Sequence, residues 1–467
     1  MPAMHRIPLV LALVVSACGG EERAPWPTES PVGPVAAEPQ RAGDPEAGYS
    51  ALVNAGYVGC GVPYSAYSQV FSAAPEEMRL PGRDGVNAEM PYNMTAFDTA
   101  SGVQVVSPNC LQCHAETLRG QLVIGLGNHT ADYTEDVGDY AVLSGALVTD
   151  PREREEWQRW SDRMITISPW IITDTVGVNP ADNLAAVLFA HRDRETLAWS
   201  WDEQIELPPP VVVPVDVPAW WNMQKKNAMF YLAAGRGDHA RIMMTASTLC
   251  VESVDEARAV DSYFPDVEAY LMTLEPPDWP FEVDRERAER GRAVFEATCS
   301  RCHGSYGASE AYPNLVIGID EIGTDDTLAS GTSQFAGEFV SWFNESFFGE
   351  LAYLAPAPGY VAPPLDGVWA TAPYLHNGSV PTIAALLESS TRPRYWTWSG
   401  DTSDYDQEAV GWRFTALEKG QDSAATDEER IRIYDTTHLG YDNRGHTFGD
   451  GLSDEDRAAV IEYLKTL

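Results

Sequence analysis

Apolar residues recur at helical spacing in several stretches of the chain, and these stretches predict amphipathic helices. They cover residues 152–164, 182–191, 257–274, 285–298 and a last helix that begins after Ser453. In that last helix Val460, Ile461 and Leu464 fall on one face, and acidic residues fill the first turn, where the helix dipole favours them. Asp150 stands before Pro151 and is a candidate N-cap for the first of these helices.

Other stretches lack this spacing. Residues 102–106 have the pattern of a strand, and residues 207–218 carry five prolines, which predicts a crossover segment without regular structure. The first half of the chain is rich in Gly, Pro, Asn and Asp, which indicates many loops. Helices joined by long irregular connections are therefore expected.

The first residues have the pattern of an export segment. A weakly basic start precedes an apolar run at residues 7–17, which is too short to span a bilayer because a spanning helix needs about 20 residues. Small residues precede Cys18, as in the lipobox of bacterial lipoproteins, and an ordinary signal peptide is the alternative. Both patterns predict an exported protein, and the first predicts a periplasmic or outer-membrane-anchored lipoprotein.

The chain is strongly acidic, with a formal net charge of −38 at pH 7. Phosphates would be repelled by such a surface, so nucleic acid is not an expected partner. The charge favours solubility, and it can steer cationic redox proteins toward the chain. Contact with the membrane is expected through the lipid anchor alone.

Two copies of the motif C-x-x-C-H give the strongest chemical signal. The first is Cys110, Cys113 and His114, and the second is Cys299, Cys302 and His303. Two cysteines three residues apart lie on one face of a helical turn, where both sulfurs reach the vinyl groups of one haem. The histidine that follows is placed under the iron as its ligand. The chain is therefore expected to hold two covalently attached c-type haems with their iron.

Zinc and a redox dithiol are the alternatives for these motifs. Zinc ribbons place their second cysteine pair much nearer along the chain and need no histidine directly after each pair. Two such motifs in a chain with 7 Cys and 9 His are not expected by chance. Cys60 and Cys250 remain, and they either pair as a disulfide in an oxidising compartment or are two unrelated buried thiols.

The second motif is framed as in the cytochrome c fold. Gly291 and Phe295 stand four residues apart in the helix before Cys299, and such a glycine lets another helix approach closely. In cytochromes c this first helix crosses a C-terminal helix, which the helix with Tyr463 and Leu464 resembles. We therefore expect a mainly α chain with two c-type haem domains, the C-terminal one cytochrome c-like, and loop-rich additions.

Composition and the two motifs together predict the organisation of the chain. Residues 19–48 are rich in Pro, Ala and Glu, so they cannot bury a core and are expected to be a disordered or partly extended tether. The predicted parts are a lipoprotein signal peptide at residues 1–18, a Pro-rich tether at residues 19–48, an N-terminal haem domain at residues 49–277 and a C-terminal cytochrome c-like haem domain at residues 278–467.

Three stretches resemble the diheme c-type cytochromes that include bacterial cytochrome c peroxidases, and more closely the diheme rubber oxygenases. They are residues 220–241, 362–382 and 443–449. In this superfamily one haem relays electrons and the other reacts with oxygen or peroxide. The resemblance implies that the haem at His303 is six-coordinate and that the haem at His114 keeps an open position.

The resemblance also implies a second axial ligand for the haem at His303. His446 is the predicted ligand, from its place in a Gly-His motif. His376 is the rival, beside Asn377 and Gly378 in a turn, where a structural role is its other interpretation. A neutral imidazole on each side suits low-spin iron.

In this family an aromatic residue stands between the haems, often a Trp followed by Asp-Gly-Arg. Here Phe230 and Tyr231 precede Arg236, so Tyr231 is expected in that place, and Trp220 and Trp221 are nearby alternatives or ordinary core aromatics. Arg236 is expected to neutralise a haem propionate, and a plain salt bridge is the other interpretation.

A peroxidase needs an acid–base group over the open haem to move a proton between the peroxide oxygens. No glutamate stands between Arg236 and Glu252, where the peroxidases have theirs, and this weakens the peroxidase interpretation. His239 is the candidate for that role, with a structural hydrogen bond as the alternative. An apolar pocket with Met243 and Met244 would suit oxygen better than peroxide cleavage.

Motifs and resemblance together predict an exported diheme oxidoreductase that activates oxygen or hydrogen peroxide at the N-terminal haem, with the C-terminal haem as electron relay. A redox protein or a small electron donor would be its partner. The alternative is a non-catalytic electron-transfer cytochrome with both irons six-coordinate. Calcium between the haems is not favoured, because the Thr-x-Pro calcium contact of the peroxidases is Ala-Pro-Pro at residues 362–364.

Overall fold

The computed structural model describes residues 25–467, apart from the side chains of residues 332–336. The predicted signal peptide and Cys18 therefore lie outside the described residues. Within the described part, no helix is both long enough and apolar enough to cross a membrane.

Short helices make up most of the regular structure. They are α1 (Pro45–Asn54), α2 (Tyr64–Val70), α3 (Leu111–His114), α4 (Val137–Ser144), α5 (Pro151–Ile167), α6 (Ala181–Ala190), α7 (His239–Met243), α8 (Val254–Asp261), α9 (Phe264–Leu271), α10 (Arg285–Thr298), α11 (Ser300–His303), α12 (Ile319–Ile322), α13 (Thr327–Glu345), α14 (Ile383–Leu387), α15 (Asp427–Arg430) and α16 (Asp454–Leu464).

The strands pair in small antiparallel sheets. They are β1 (Gly33–Pro34), β2 (Val62–Pro63), β3 (Met94–Asp98), β4 (Gln104–Pro108), β5 (Ala115–Leu118), β6 (Gln121–Ile124), β7 (Gly235–Gly237), β8 (Leu315–Gly318), β9 (Ala352–Leu354), β10 (Gly359–Val361), β11 (Tyr395–Trp398), β12 (Tyr405–Asp406), β13 (Gly411–Trp412), β14 (Phe414–Ala416) and β15 (Tyr434–Asp435). The strand orders are β1-β8-β10, β2-β4-β3, β14-β11-β15, β5-β6, β7-β9 and β12-β13.

The predicted fold class, mainly α with two c-type haem domains and loop-rich additions, is wrong. Helices cover 39% of the residues and strands cover 13%, in several small sheets. Each strand has two to five residues, so an alternation of apolar and polar positions is too short to stand out in the sequence. Several strands also pair with distant partners, as where Gly235 of β7 pairs with Leu354 of β9.

Two predicted helices are confirmed where local signals are strong. α10 covers residues 285–298, as predicted. α5 begins at Pro151, and the carboxylate of Asp150 accepts a hydrogen bond from the backbone N–H of Arg152 at 2.8 Å. The strand expected at residues 102–106 is found as β4, shifted by two residues.

The prediction of a single helix over residues 257–274 is wrong, because the chain there forms two helices, α8 and α9. α8 ends at Asp261, and α9 begins at Phe264 with Pro265 in its first turn. Proline has no N–H to donate backward and suits the start of a helix, so it begins a second helix here instead of continuing the first.

α10 crosses the C-terminal helix α16 at a very close contact. A Cβ added at Gly291 would lie 1.8 Å from the carbonyl oxygen of Ala459, so only glycine leaves room for the backbone of α16. Beside this contact the rings of Phe295 and Tyr463 pack with 5.3 Å between their centroids. The expected crossing of the two helices is confirmed, and it fixes the position of Cys299 directly after α10.

Replacing Gly291 with alanine should lower the free energy of unfolding by about 1–3 kcal/mol, because the added methyl group forces α10 and α16 apart. Denaturant unfolding of the haem-loaded chain measures the change. Gly337→Ala is the matched control, since Gly337 lies in α13 with nothing within 4 Å of an added Cβ. That control should be neutral or stabilising by up to about 1 kcal/mol. Equal effects of the two changes would contradict this account of the crossing.

Part of the segment predicted as a tether lies on the body of the protein. β1 pairs with β8, and the ring of Trp26 stacks on Tyr353 with 4.3 Å between centroids. The guanidinium of Arg41 donates to the carboxylates of Asp238 and Asp261 at 2.8–2.9 Å. Extended Pro-rich backbone makes no internal hydrogen bonds, so its polar groups can pair with a neighbouring strand. Composition alone does not show whether such a strand is present.

The disulfide left open by the sequence is present. Cys60 and Cys250 are bonded, with 5.7 Å between their Cα atoms, and both are buried in the largest hydrophobic cluster. The same cluster takes in Phe343 and Phe348, which follow the second C-x-x-C-H motif in the chain. One core therefore joins residues from both sides of that motif.

Candidate haem sites

The second motif lies where α10 changes into the single turn α11. The N–H groups of Cys302 and His303 both donate to the carbonyl oxygen of Cys299 at 3.1 Å, so the two thiols and the imidazole project from one turn. Cys299 and Cys302 are free thiols and are partly buried. Two thiols on one turn, followed by a histidine, are the arrangement that covalent haem attachment needs.

The imidazole of His303 has a fixed orientation. Its Nδ1 lies 2.9 Å from the carbonyl oxygen of Pro363, and because a carbonyl only accepts, Nδ1 carries the proton. Nε2 is then left with a lone pair for a metal ion. The hydroxyl of Tyr306 accepts from the N–H of Leu365 at 2.7 Å and donates to the carbonyl of His303 at 3.0 Å, which ties the Pro363 segment to the motif.

His446 faces His303 from a tight loop at residues 443–446. The guanidinium of Arg392 donates to three carbonyl oxygens of this loop, at 2.6, 2.7 and 3.1 Å. A Cβ added at Gly445 would lie 2.2 Å from the carbonyl carbon of Gly323, so the loop needs glycine at that position. The backbone of the loop thus determines where the imidazole of His446 stands.

The two imidazoles have the separation of ligands that share one metal ion. The ring centroids of His303 and His446 lie 6.1 Å apart. Two imidazoles bound to one metal through nitrogen bonds of about 2.0 Å have ring centres roughly 6 Å apart. Burial lowers the pKa of His446 to about 3 and lowers that of His303, so both rings are neutral, as ligands must be. These residues fit a six-coordinate haem iron.

The first motif stands between two strands, β4 and β5, and is not preceded by a helix. The N–H groups of Cys113 and His114 donate to the carbonyl oxygen of Cys110, at 3.3 and 3.1 Å. Asn109 caps this turn by accepting from the N–H of Leu111 at 2.9 Å. A strand–turn–strand unit therefore presents the same set of two thiols and one imidazole as the second motif.

The surroundings of the first motif also suit a haem. The hydroxyl of Tyr133 lies 3.4 Å from Sγ of Cys113, and Tyr57 belongs to the hydrophobic cluster against which Cys110 packs. Burial lowers the pKa of His114 to about 3, so its ring is neutral, and its Nδ1 has no hydrogen-bond partner within residues 25–467. A neutral imidazole beside two free thiols fits an axial haem ligand.

A pair of tryptophans connects the two motifs. Trp220 stacks on His114, with 4.4 Å between centroids and 16° between ring planes. Nε1 of Trp221 donates to the carbonyl oxygen of Asp366 at 2.8 Å, and Asp366 belongs to the segment in which Pro363 orients the second motif's histidine. The two adjacent indoles thus extend from His114 of the first motif to the segment that orients His303 of the second motif.

Tyr231, the predicted inter-haem residue, lies in a different network. Its hydroxyl donates to Oδ2 of Asp216 at 2.9 Å, and Oδ1 of Asp216 lies 2.6 Å from Nε2 of His129. Its ring meets that of His376 edge-on at 6.3 Å, and His376 stacks on Tyr360 at 3.9 Å. The role of Tyr231 between the haems stays a prediction, whereas Trp221 is in the connection between the motifs.

Arg236 contacts the N-terminal segment of the chain. Its Nε lies 3.4 Å from Oε2 of Glu38, and its guanidinium stands over the ring of Tyr353 at 5.8 Å. These contacts agree with the interpretation of Arg236 as a salt-bridge residue. The role of Arg236 toward a haem propionate stays a prediction.

His239 belongs to a buried group of titratable side chains. Its Nδ1 lies 3.8 Å from Oε1 of Glu268, and neither the ring nitrogens nor the carboxylate oxygens have a hydrogen-bond partner in the described part of the chain. Burial lowers the pKa of His239 to about 4, raises that of Glu268 to about 7 and lowers that of Lys226 to about 8. Met243, one turn further along α7, belongs to the same two hydrophobic clusters as Cys110.

Replacing Glu268 with glutamine should make the protein more stable above pH 7 than the unaltered chain. The folded-state pKa of about 7 exceeds the ordinary value of 4.5, so folded Glu268 holds its proton where the unfolded chain has lost it. The free energy of unfolding therefore falls as pH rises from 4.5 to 7, by at most roughly 3 kcal/mol. Denaturant unfolding between pH 4 and 8 measures the difference between the two proteins. The exposed Glu282→Gln is the control, and a difference that does not grow with pH would contradict the prediction.

Comparison with known proteins bears on the second motif. A family model described as RoxA-like, cytochrome c-like matches residues 359–397, the stretch that includes Pro363. This match supports a RoxA-like cytochrome. A cytochrome c-like domain implies covalently bound haem iron.

Two uncharacterized proteins of Sinorhizobium fredii (strain NBRC 101917 / NGR234) are similar over part of the chain. Protein y4iM is 29% identical over 318 residues, which are 59% of this chain and 69% of that protein. Protein y4iJ is 30% identical over 289 residues, which are 48% of this chain and 46% of that protein. The chain thus spans less than half the length of the second relative.

Sequence reasoning missed the role of Glu268, although a signal was present. Glu268 follows Phe264 by four residues and precedes Leu271 by three, so it falls on the apolar face of a helix. An acidic residue on an apolar helix face is expected to be buried or paired with a polar partner, and Glu268 is buried. The stacking of Trp220 on His114 had no comparable local signal.

Proposed function

We propose that this chain is an exported diheme c-type cytochrome oxidoreductase that activates oxygen or peroxide at the first motif and relays electrons through the second. The residues that would hold the haems are Cys110, Cys113 and His114 for one, and Cys299, Cys302, His303 and His446 for the other. A haem bound there supplies one-electron transfer and, where an axial position is open, reactivity toward oxygen or peroxide.

The difference between the two motif histidines carries the proposal. His303 faces a second imidazole, that of His446, at 6.1 Å between centroids. The ring that packs on His114 is the indole of Trp220, which is not a metal ligand. One motif is thus supplied with two imidazoles and the other with one, which supports oxygen or peroxide as the reactant at the first motif.

Two buried side chains, Glu268 and His239, are suited to proton transfer. Glu268 has a pKa of about 7 because of burial, so it exchanges a proton readily at neutral pH. His239, 3.8 Å away, is neutral at that pH and can accept a proton. Met243, one turn from His239 in α7, shares two hydrophobic clusters with Cys110 of the first motif.

The tryptophan pair supports the relay. Trp220 is in van der Waals contact with His114, and Trp221 is its neighbour in the chain and is hydrogen-bonded to Asp366. Electron transfer is faster through bonded and stacked groups than through empty space or water. We assign to these indoles the coupling of the two motifs.

The test is a titration of the haem-loaded, full-length chain. We expect two haems per chain, one low-spin and one high-spin EPR signal, and one carbon monoxide bound per reduced chain. Two low-spin signals without carbon monoxide binding would overturn the proposal in favour of an electron-transfer cytochrome. Turnover with hydrogen peroxide and a reduced donor, against oxygen and polyisoprene, then separates the two reactions.

A further inference from the structure

The two imidazoles that face each other at the second motif are held in different ways. Nδ1 of His303 lies 2.9 Å from the carbonyl oxygen of Pro363. Nδ1 of His446 is buried and finds no hydrogen-bond partner in any other described residue. A metal-bound histidine usually donates its second ring N–H to a carbonyl or a carboxylate, which fixes the ring and raises its basicity. Because His446 lacks such a bond within residues 25–467, the position of its ring depends on the backbone of the loop at residues 443–446.

One side chain joins this loop to the helix α14. The guanidinium of Arg392 donates to three carbonyl oxygens of the loop at 2.6, 2.7 and 3.1 Å, and to the carbonyl oxygens of Ala385 and Leu386 in α14 at 3.1 and 2.9 Å. All five acceptors are backbone groups, so this contact fixes the path of the chain. A guanidinium offers five N–H donors in a fixed planar geometry, whereas the ammonium of a lysine offers three and cannot bond all five carbonyls.

Other contacts hold the chain before and after His446. Nδ2 of Asn443 donates to a carbonyl of residues 389–393 at 2.8 Å, and the carboxylate of Asp450 accepts two hydrogen bonds from the same segment at 2.8 and 2.6 Å. The N–H of His446 donates to the carbonyl oxygen of Ile322 at 2.7 Å, on the other side of the loop. Without the guanidinium the loop would therefore stay attached at both ends, but it would lose the three bonds that hold residues 443–446 against α14.

We infer that Arg392 is a positioning residue that keeps the imidazole of His446 opposite His303, and that it thereby closes the second motif to oxygen, peroxide and other small ligands. His446 is the ligand that exchanges, because its ring is held through the backbone alone, whereas His303 is also held by Pro363. An electron relay needs no open axial position, so the contact confines the reaction with oxygen or peroxide to the first motif. The inference rests on the proposed function, which supplies a haem at each motif.

Carbon monoxide titration of the reduced, haem-loaded full chain tests the inference. The unaltered chain should bind one equivalent, at the first motif. Arg392→Met should bind a second equivalent and lose part of its low-spin EPR signal, because His446 then leaves its place more readily. The affinity for this second equivalent should rise by about tenfold or more over the unaltered chain, since three hydrogen bonds to the ligand loop are lost. Arg392→Lys keeps the positive charge and should show a smaller rise, and it carries the test if Arg392→Met does not fold.

Control variants separate positioning from a general loss of stability. Val340→Ala removes buried methyl groups from the largest hydrophobic cluster, and Arg394→Met removes an exposed arginine two residues from Arg392. Both should bind one equivalent, as the unaltered chain does. Adding Arg392→Met to His446→Gly should not raise the affinity for the second equivalent further, because Arg392 acts through His446.

Three results would overturn the inference. They are a single equivalent in both Arg392 variants, a second equivalent in either control, and a further rise in affinity when Arg392→Met is added to His446→Gly. An unaltered chain without a low-spin signal would overturn the proposed function, and this inference with it. A low-spin signal that persists in both Arg392 variants, with one carbon monoxide bound, would overturn the inference alone.

Discussion

Replacing Cys299 and Cys302 with alanine is expected to leave one covalently attached haem per chain in place of two. Both thiols project from one turn at the end of α10, beside an imidazole whose Nδ1 is tied to Pro363. A thioether survives denaturation, whereas an axial bond to iron does not, so the variant should lose half of its denaturation-resistant haem. Intact mass and haem absorbance of the denatured chain measure the change.

The first motif gives the matched comparison. The variant with Cys110→Ala and Cys113→Ala should lose the other covalently attached haem. The variant with all four cysteine substitutions should be colourless after denaturation. Cys60→Ala breaks the disulfide with Cys250 and should leave both haems in place. An unaltered chain that is colourless after expression with a working haem-attachment system would contradict both this prediction and the proposed function.

Local sequence signals explain which parts of the fold could be predicted. α10 was predictable over its full length because Asp284 caps it and Gly291 marks the close crossing with α16. α5 was predictable because Asp150 and Pro151 stand at its start. Caps, prolines and glycines act within a few residues, so they can be recognised without knowing the rest of the chain.

Contacts between distant segments explain what could not be predicted. The strands that overturn the mainly α expectation are too short to have a period, and β7 finds its partner β9 only in the folded chain. The same holds for the stacking of Trp220 on His114, and for Asp216, which binds His129 and Tyr231 at once. No local pattern encodes these pairs, because each depends on the path of the whole chain.

The second haem site shows how both kinds of information combine. Its thiols and His303 come from one motif, whereas the carbonyl of Pro363 and the ring of His446 come from separate segments. The motif identified the attachment and the family resemblance pointed to His446, whereas only the fold shows that the Pro363 segment meets both of them. The loop at His446 is held by Arg392, which sequence reasoning did not single out.

Replacing His446 with glycine should raise the carbon monoxide bound per reduced chain from one equivalent to two. The backbone φ of His446 is 45°, which glycine adopts without strain, so the loop held by Arg392 should keep its shape while the ligand is lost. The haem at His303 would then have one imidazole instead of two and should change from low spin to high spin. EPR spectra and carbon monoxide titration of the reduced protein measure both changes.

The rival ligand supplies the control for this prediction. The ring of His376 stacks on Tyr360 at 3.9 Å and meets Tyr231 edge-on, so His376→Asn should cost stability but leave the low-spin signal and one carbon monoxide per chain. If His376→Asn abolished the low-spin signal while His446→Gly retained it, the two histidines would have to exchange roles. The 6.1 Å between the ring centroids of His303 and His446 would then be a packing contact only. A haem iron held by both rings would change its spin state when one of the rings is removed.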